Sequence, residues 1–409
     1  MATIYPFRAL RPVPKLAAQV ASVPYDVVNC DEAAKLAFNN PYSFLHVTRP
    51  EIDLATDIDP HSEAVYKKGA QALTALRDNH ILIQDEQPCL YAYQLIMGSH
   101  KQTGVVLCAA VSDYEQNIIR KHEFTRPDKE NDRVRHMQAL GAQTGKVFLC
   151  HKDSETIAQE LKQVTANEPV YDFIAEDGVQ HRLWVIDNSD SIANIVSAFA
   201  AAGDIYIADG HHRSAAAARF AQYRRVAGAV PDSQQEYERF LAVSFPASEM
   251  QILPYNRIAK DLAGMSTADF LNSVRERFIV SDSKPITTKP QQFCMYLENK
   301  WYCLEVRPGS WDDTDKVARL DVSLLQQQLL APLLGISDPR RDQRIDFVGG
   351  IRGDAELERR VQHGWAVAFK MHPTSISDLF AIADAGCVMP PKSTWFEPKL
   401  RDGLVVHCL

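Results

Sequence analysis

The sequence predicts a mixed α/β fold, because apolar β-branched or aromatic runs alternate along the chain with amphipathic or alanine-rich stretches. One such run, residues 205–208, stops at Asp209-Gly210 and passes into four alanines at 215–218, which indicates strand, tight turn and helix. The chain has 409 residues, more than one compact core usually holds. We therefore expect three α/β regions, at 1–140, 141–262 and 263–409.

The elements before the central strand follow from periodicity and from breakers. Prolines at positions 6, 12 and 14 exclude a long helix from the first segment, which we expect to be extended. Apolar positions at helical spacing predict helices at 31–38, 61–79, from about 128, 154–164 and 189–202. Continuous or alternating apolar runs predict strands at 89–97, 103–111, 146–151, 170–173 and 182–186, of which the first two form a hairpin.

The elements after the central helix follow from the same signals. We expect a polar loop around Pro231 and Asp232, a buried strand at 240–245 and a leucine-rich helix at 321–330 that is closed by Pro332. The other strands are predicted at 292–297, 300–306, 345–350 and 365–371, and the other helices near 266, from 354 and at 374–383.

Composition excludes several classes of protein. The net charge of −8 and the pI of about 5.9 argue against nucleic acid as the main partner. No apolar run reaches the roughly 18 residues that span a bilayer, so we expect a cytoplasmic protein without a membrane segment. The eight cysteines form no C-x-x-C pair, which predicts reduced thiols and neither a zinc site nor a disulfide framework.

The polar turn after the central strand is the first candidate site. Its residues are Asp209, Gly210, His211, His212, Arg213 and Ser214. A helix that starts there directs its free N–H groups and the positive end of its dipole toward the turn, where Arg213 adds a fixed charge and the histidines and Ser214 add donors. The combination suits a phosphate group. The alternative is structural: Asp209 as a helix N-cap and Gly210 as a turn residue.

A second polar cluster lies between positions 120 and 136. On a helix from about 128, Lys129, Asp132 and Arg133 fall on one face, and Glu123 precedes them at a strand end. We expect these four residues to help form a substrate pocket, with a solvated charged face as the alternative. Asp26, at the end of an extended segment, is a further candidate carboxylate, or else a turn or N-cap residue.

A third cluster, Lys392-Ser393-Thr394, follows two prolines near the C-terminal end. It lacks the glycines of a P-loop, but a lysine and two hydroxyls on a stiff loop suit phosphate. We expect this loop to close over the turn at 209–214. The alternative is a structural clasp held by Trp395 and Phe396.

The motifs together resemble a known family. Asp209-Gly-His-His-Arg213 is similar to the phosphate-binding motif of the ParB and sulfiredoxin superfamily, especially its kinases for free L-serine. Further motifs resemble a long-uncharacterised family that includes pyrophosphate-dependent serine kinases: Tyr5-Pro-Phe-Arg-Ala-Leu-Arg-Pro12, Pro24-Tyr-Asp-Val27, Asn40-Pro-Tyr-Ser-Phe-Leu45, Arg120-Lys-His-Glu123 and Met389-Pro-Pro-Lys-Ser-Thr-Trp-Phe-Glu-Pro-Lys399. Similarity of this kind covers nearly the whole chain.

The resemblance implies a ParB/sulfiredoxin-like phosphate-binding core with additional α/β subdomains and a phosphotransferase that makes O-phosphoserine from free serine. It favours pyrophosphate as phosphoryl donor, with an ATP- or ADP-dependent serine kinase, or a non-catalytic nucleotide-binding switch, as alternatives. Mg²⁺ is the expected cofactor, because the charge on the oxygens of the transferred phosphoryl group must be neutralised. The DNA binding of ParB is not carried over, because no helix-turn-helix with a basic face is apparent. Sulfiredoxin chemistry is disfavoured because His211 replaces its cysteine.

The chemistry of phosphoryl transfer to serine indicates a role for each candidate residue. A serine hydroxyl is a poor nucleophile, so a carboxylate must orient it and accept its proton. We expect Asp209 to be that base, with Asp26 and Glu123 as alternatives, while His211, His212, Arg213 and the helix start neutralise the phosphoryl oxygens. No metal ligand and no oligomeric state follow from the sequence.

Overall fold

A computed structural model of the protein describes residues 1–228, 235–282 and 285–409, so the loop predicted at Pro231 and Asp232 lies outside the described residues. The described chain divides into two units: Met1–Met250 with Pro398–Leu409, and Gln251–Glu397. This division differs from the three predicted regions. The boundary predicted at 140–141 falls inside the first unit, because strands from both sides of it join one sheet. The boundary predicted at 262–263 falls inside the second.

The strands confirm the predicted β elements and add short ones. They are β1 Ile4–Tyr5, β2 Leu10–Pro12, β3 Leu82–Gln84, β4 Leu90–Met97, β5 His100–Ala110, β6 Ile119–Arg120, β7 Ala142–Gln143, β8 Val147–His151, β9 Tyr171–Ile174, β10 Gln180–Ile186, β11 Ile205–Asp209, β12 Arg239–Pro246, β13 Gln251–Leu253, β14 Tyr255–Ala259, β15 Phe278–Asp282, β16 Gln292–Leu297, β17 Lys300–Val306, β18 Ile345–Gly349, β19 Val367–Lys370, β20 Trp395–Glu397 and β21 His407–Cys408.

The helices alternate with these strands, so the mixed α/β class is confirmed. They are α1 Ala17–Val20, α2 Cys30–Ala37, α3 Leu45–Thr48, α4 Glu63–Asp78, α5 Val111–Glu115, α6 Pro127–Leu140, α7 Glu155–Val164, α8 Ser189–Ala202, α9 His211–Val226, α10 Thr267–Arg277, α11 Asp321–Leu325, α12 Ala331–Leu334, α13 Gly353–Gln362 and α14 Ile376–Asp384. In the described ranges no helix has both the length and the apolar character that a bilayer span requires.

The first unit is built on one mixed sheet with the order β6-β11-β8-β12-β5-β4-β10-β9, and β1 pairs with β5. Strand β11 runs antiparallel to β8 and parallel to the short β6. Buried aliphatic side chains such as Leu107, Leu149 and Ile207 form the core against Ala216 and Phe220 of α9. The alanines of α9 let this helix approach the sheet closely, which fixes the turn at its start.

The second unit has its own sheet, with the order β15-β17-β16-β19-β14-β18. Its core includes Ile258, Tyr296, Val348, Leu357 and Ala368. Strand β14 lies inside this sheet and pairs with both β18 and β19.

The leucine-rich helix of the second unit differs from its prediction, because Pro332 does not end it. After α11 the chain continues as a π-helical segment, Gln326–Leu330, and then as α12, whose first turn contains the proline. A proline inside a helix lacks an N–H and crowds the carbonyl four residues earlier. The wider π turn before Pro332 accommodates both effects.

Candidate functional site

The centre of the candidate site is the junction of β11 and α9. Gly210 has φ +96 and precedes the helix, and a Cβ at this position would lie 3.4 Å from the Cα of Val147. Only glycine adopts such a φ without strain, so the residue type makes the sharp turn possible. The N–H groups of His211 and His212 precede the first intrahelical bond, which the N–H of Arg213 makes with Gly210. The helix start is therefore polarised toward an anion.

Arg213 connects this turn to the N-terminal part of the chain. Its Nη2 donates to both carboxylate oxygens of Asp26 at 2.9 Å, and its Nη1 donates to the carbonyl of Lys146 at 2.8 Å. The guanidinium also lies 5.4 Å from the ring of Tyr25 and next to Gly145, where a Cβ would lie 3.3 Å from Nε. Burial lowers the pKa of Arg213, but the charge of Asp26 outweighs it, so the guanidinium stays charged.

Asp209 is paired with a lysine from the last segment of the first unit. Lys399 donates from Nζ to Oδ2 of Asp209 at 3.0 Å, and the Asp209 side chain is 45% exposed. Burial raises the pKa of Asp209, but the charges of Lys399 and Arg213 outweigh it and hold that pKa below its usual range. The carboxylate is consequently charged and still accessible.

The histidines of the motif are neutral donors and acceptors. The backbone N–H of His122 donates to Nε2 of His211 at 3.4 Å, while Nδ1 of His211 lies 3.8 Å from Oε2 of Glu123. Burial lowers the pKa of His211 well below its ordinary value. His212 accepts from the backbone N–H of Arg126 at 3.1 Å, and burial lowers its pKa as well. Arg213 and Lys399 therefore carry the positive charge of this turn.

Helix α6 brings two of its three predicted residues to the site. Arg133 stacks over the ring of Tyr25 at 3.9 Å and donates to Oδ2 of Asp132. Asp132 also accepts from the hydroxyl of Tyr66, so this buried carboxylate orients Arg133. Lys129 lies on an exposed part of the helix. Of the three residues predicted to share one helix face, Asp132 and Arg133 therefore belong to the site, whereas Lys129 lies at the surface.

The remaining predicted residues occupy other surroundings. Ser214 is fully buried and donates to the carbonyl of His211, and Glu123 is partly exposed beside His211. Lys392, Ser393 and Thr394 belong to the second unit, where Ser393 donates to the carbonyl of Pro390. The predicted closure of their loop over the turn stays a prediction.

A cavity with an empty volume of about 420 Å³ adjoins the guanidinium groups of Arg133 and Arg213. Much of its wall is apolar or aromatic. The lining side chains include Tyr25, Met137, Val147, Phe240 and Leu241. No local pattern in the sequence marks this wall, because these residues come from four separate segments.

Sequence reasoning also missed four polar residues that interact with Arg213 or with Asp209. Lys399 and Tyr25 stood in quoted motifs, but no role was drawn from them. Lys146 is buried, and burial lowers its pKa to about 8. Burial raises the pKa of Asp402, whose carboxylate oxygens have no hydrogen-bond partner in the described part of the chain. The one sequence signal for Lys146 and Asp402 was a charged residue close to an apolar run.

The comparisons with known proteins place the chain in a family. No curated protein matches it significantly. A free serine kinase mutant in complex with AMP matches at 13% identity and TM-score 0.35, covering 72% of this chain and 87% of its own. C-terminally truncated SbnI from Staphylococcus aureus matches at 10% identity and TM-score 0.39, covering 73% and 86%. A conserved hypothetical protein from Pyrococcus furiosus matches at 14% identity and TM-score 0.32, covering 73% and 93%. The family model described as a protein of unknown function (DUF1015) matches residues 4–323, and the chain therefore belongs to the DUF1015 family.

Proposed function

We propose that the protein transfers a phosphoryl group from pyrophosphate to the hydroxyl of free L-serine and releases O-phosphoserine and phosphate. The observation that carries this proposal is the grouping of Arg213, Asp26 and Asp209 at the start of α9. A charged guanidinium and a helix N-terminus stand beside two carboxylates whose side chains are 40% and 45% exposed. A phosphoryl transferase needs both elements, cations for the moving group and a carboxylate for the attacking hydroxyl.

The cationic groups serve the donor. In the transfer, the serine oxygen forms a bond to phosphorus while the bond from phosphorus to the bridging oxygen breaks, and the leaving phosphate keeps the electron pair. Negative charge gathers on the oxygens of both groups. Arg213 and the N–H groups at the start of α9 stabilise that charge, and their positions are fixed by packing before the reaction begins.

The two carboxylates have different roles toward the serine hydroxyl that accepts the phosphoryl group. Both carboxylates are ion-paired, Asp209 with Lys399 and Asp26 with Arg213. We assign the role of general base to Asp26, instead of Asp209, the sequence-based choice, because Asp26 is bound at 2.9 Å to Arg213, the cation that stabilises the moving phosphoryl group. Asp209 keeps a role in orienting the substrates.

The carboxylates at the turn also suit the expected Mg²⁺. Among the described residues no group of three or more His, Cys, Asp or Glu side chains has the arrangement of a metal site. Mg²⁺ in phosphoryl transferases is usually held by one or two carboxylates together with the substrate phosphates, and the exposed oxygens of Asp209 fit that pattern. When bound there, the ion would neutralise part of the charge on the donor oxygens.

A nucleotide-dependent serine kinase is the second candidate. The cavity beside Arg213 has an aromatic and aliphatic wall, including Tyr25, Phe240 and Leu241, as small-molecule sites commonly do. Such a wall suits a base. Pyrophosphate stays our first choice because it needs only cationic contacts and, unlike a nucleotide, makes no use of an apolar wall.

One assay separates these candidates. The protein is mixed with L-serine, Mg²⁺ and either pyrophosphate, ADP or ATP, and O-phosphoserine is measured. Product with pyrophosphate alone is expected. Product with a nucleotide alone would replace the donor assignment. Tight binding of a non-hydrolysable nucleotide without product from any donor would favour a nucleotide-binding switch and overturn the kinase proposal.

A further inference from the structure

The second unit contains a buried cation without an acidic partner. Arg257 lies in β14 and is 4% exposed. Its guanidinium donates to three backbone carbonyls, those of Tyr255, Pro391 and Lys392, the last at 3.0 Å. In the residues that the structure describes, no carboxylate forms an ion pair with it. Burying an unneutralised guanidinium is costly, so this arrangement favours an external anion.

A cavity lies beside this guanidinium. Its empty volume is about 250 Å³, and its wall includes Arg257, Gln326, Phe347 and Pro391. Most of the wall is apolar, which strengthens the attraction between the guanidinium and an anion inside it. Burial lowers the pKa of Arg257 to about 10, so the group remains charged at neutral pH.

Gln326 supplies the complementary acceptor. Its Nε2 donates to the carbonyl of Ile336 at 2.7 Å, which leaves Oε1 buried without a hydrogen-bond partner among the described residues. Gln326 also opens the π-helical segment, a rare backbone form that frequently occurs at functional sites. A ligand that satisfies both groups must offer an anionic oxygen to Arg257 and an O–H to Gln326.

A second cation stands close by. Lys392 has φ +58, an uncommon conformation for a lysine, and its Nζ lies 5.4 Å from the centre of the Tyr255 ring. Its carbonyl accepts the hydrogen bond from Arg257, so the loop and the guanidinium are held together. The uncommon backbone conformation of Lys392 is therefore linked through this hydrogen bond to Arg257 in the cavity wall.

We propose that the cavity between Arg257 and Gln326 is a binding site for a compact protonated phosphate, such as hydrogen phosphate. The guanidinium donates to its charged oxygens, and Oε1 of Gln326 accepts from its hydroxyl. The site lies within the second unit and is argued without reference to the turn at residue 209. It therefore stands or falls independently of the proposed kinase activity.

The test is phosphate binding to the full chain by isothermal titration calorimetry at pH 7. The variants are Arg257→Gln, Gln326→Glu and the matched control Arg341→Gln, which removes a charge from a side chain that is 89% exposed. Gln326→Glu places a negative charge in the wall of the cavity that Arg257 also lines, so it repels an anion and competes with it for the guanidinium. This variant keeps the guanidinium and does not depend on whether Arg257→Gln folds.

We expect the wild type and Arg341→Gln to bind the same number of phosphates. Gln326→Glu is expected to bind one phosphate fewer, or that phosphate at least about tenfold more weakly. Arg257→Gln is expected to lose the same phosphate. Wild-type phosphate binding by Gln326→Glu overturns the assignment, as does the absence of any phosphate whose binding responds to these two positions.

Discussion

Asp26 and Arg213 are 187 positions apart in the sequence, yet both carboxylate oxygens of Asp26 accept hydrogen bonds of 2.9 Å from Nη2 of Arg213. The carbonyl of Lys146 accepts a third bond from the same guanidinium. Three segments of the first unit therefore meet at one side chain. Any change that moves this guanidinium is expected to disturb the carboxylate and the helix start together.

The first prediction concerns the planar geometry of Arg213. Arg213→Lys keeps a charge but cannot bond Asp26 and the carbonyl of Lys146 at the same time. We expect kcat/KM for phosphoserine formation to fall by about 100-fold or more. The control is Arg219→Lys on the same helix, where the side chain is 43% exposed and pairs with Glu130. Equal activity of the two variants would remove Arg213 from the site.

The second prediction separates the two carboxylates. Asp26→Asn removes the proposed base, so kcat is expected to fall roughly 100- to 10,000-fold. Asp209→Asn removes a group that only orients the substrates, so its kcat is expected to fall less. Asp31→Asn, at an exposed position near the start of α2, serves as the charge-matched control. If kcat falls further in Asp209→Asn than in Asp26→Asn, the two roles must be exchanged.

The third prediction uses the glycine beside the guanidinium. A Cβ at Gly145 would lie 3.3 Å from Nε of Arg213, so Gly145→Ala should displace that side chain by a few tenths of an ångström. We expect an activity loss of roughly 10- to 100-fold with an unchanged melting temperature. Gly210→Ala provides the contrast: its φ of +96 adds backbone strain, so stability should fall by about 1 kcal/mol or more. Full activity in Gly145→Ala would contradict the positioning argument.

The fourth prediction concerns pH and Lys399. Because the folded-state pKa of Asp209 lies below its unfolded value of about 3.9, the stability from its ion pair is complete above that value and is lost as the pH falls through the folded-state pKa. The unfolding free energy of Lys399→Met should be lower than that of the wild type by about 1 kcal/mol or less at pH 7, since Asp209 is partly exposed. The gap should narrow below about pH 4.

Urea unfolding between pH 7 and pH 3 measures this gap. Lys15→Met, at an exposed lysine, is the control and should show no such dependence on pH. A gap that stays constant or widens toward acid would mean that the pair with Lys399 does not set the pKa of Asp209.

Local sequence patterns predicted the centre of the site, but they did not predict which residues far apart in the sequence form pairs. The strand, Gly210 and the start of α9 follow from residue types that are adjacent in the sequence, so their geometry was predictable. The bond between Asp209 and Lys399 spans 190 positions and depends on the return of the chain to the first unit. Helical periodicity likewise grouped Lys129 with Arg133. Periodicity predicts which residues share one face of a helix, but not which part of that face the neighbouring elements cover.

The first unit closes only when the chain comes back to it at Pro398, after the whole second unit has been made. On the ribosome, a nascent chain shorter than 399 residues carries the turn at Asp209 without the lysine that pairs with it. The two carboxylates near Arg213 then lack one of their balancing cations for as long as translation of the intervening residues lasts. A chain released early by a premature stop would keep the motif in its sequence and lose the charge arrangement that the motif acquires in the finished fold.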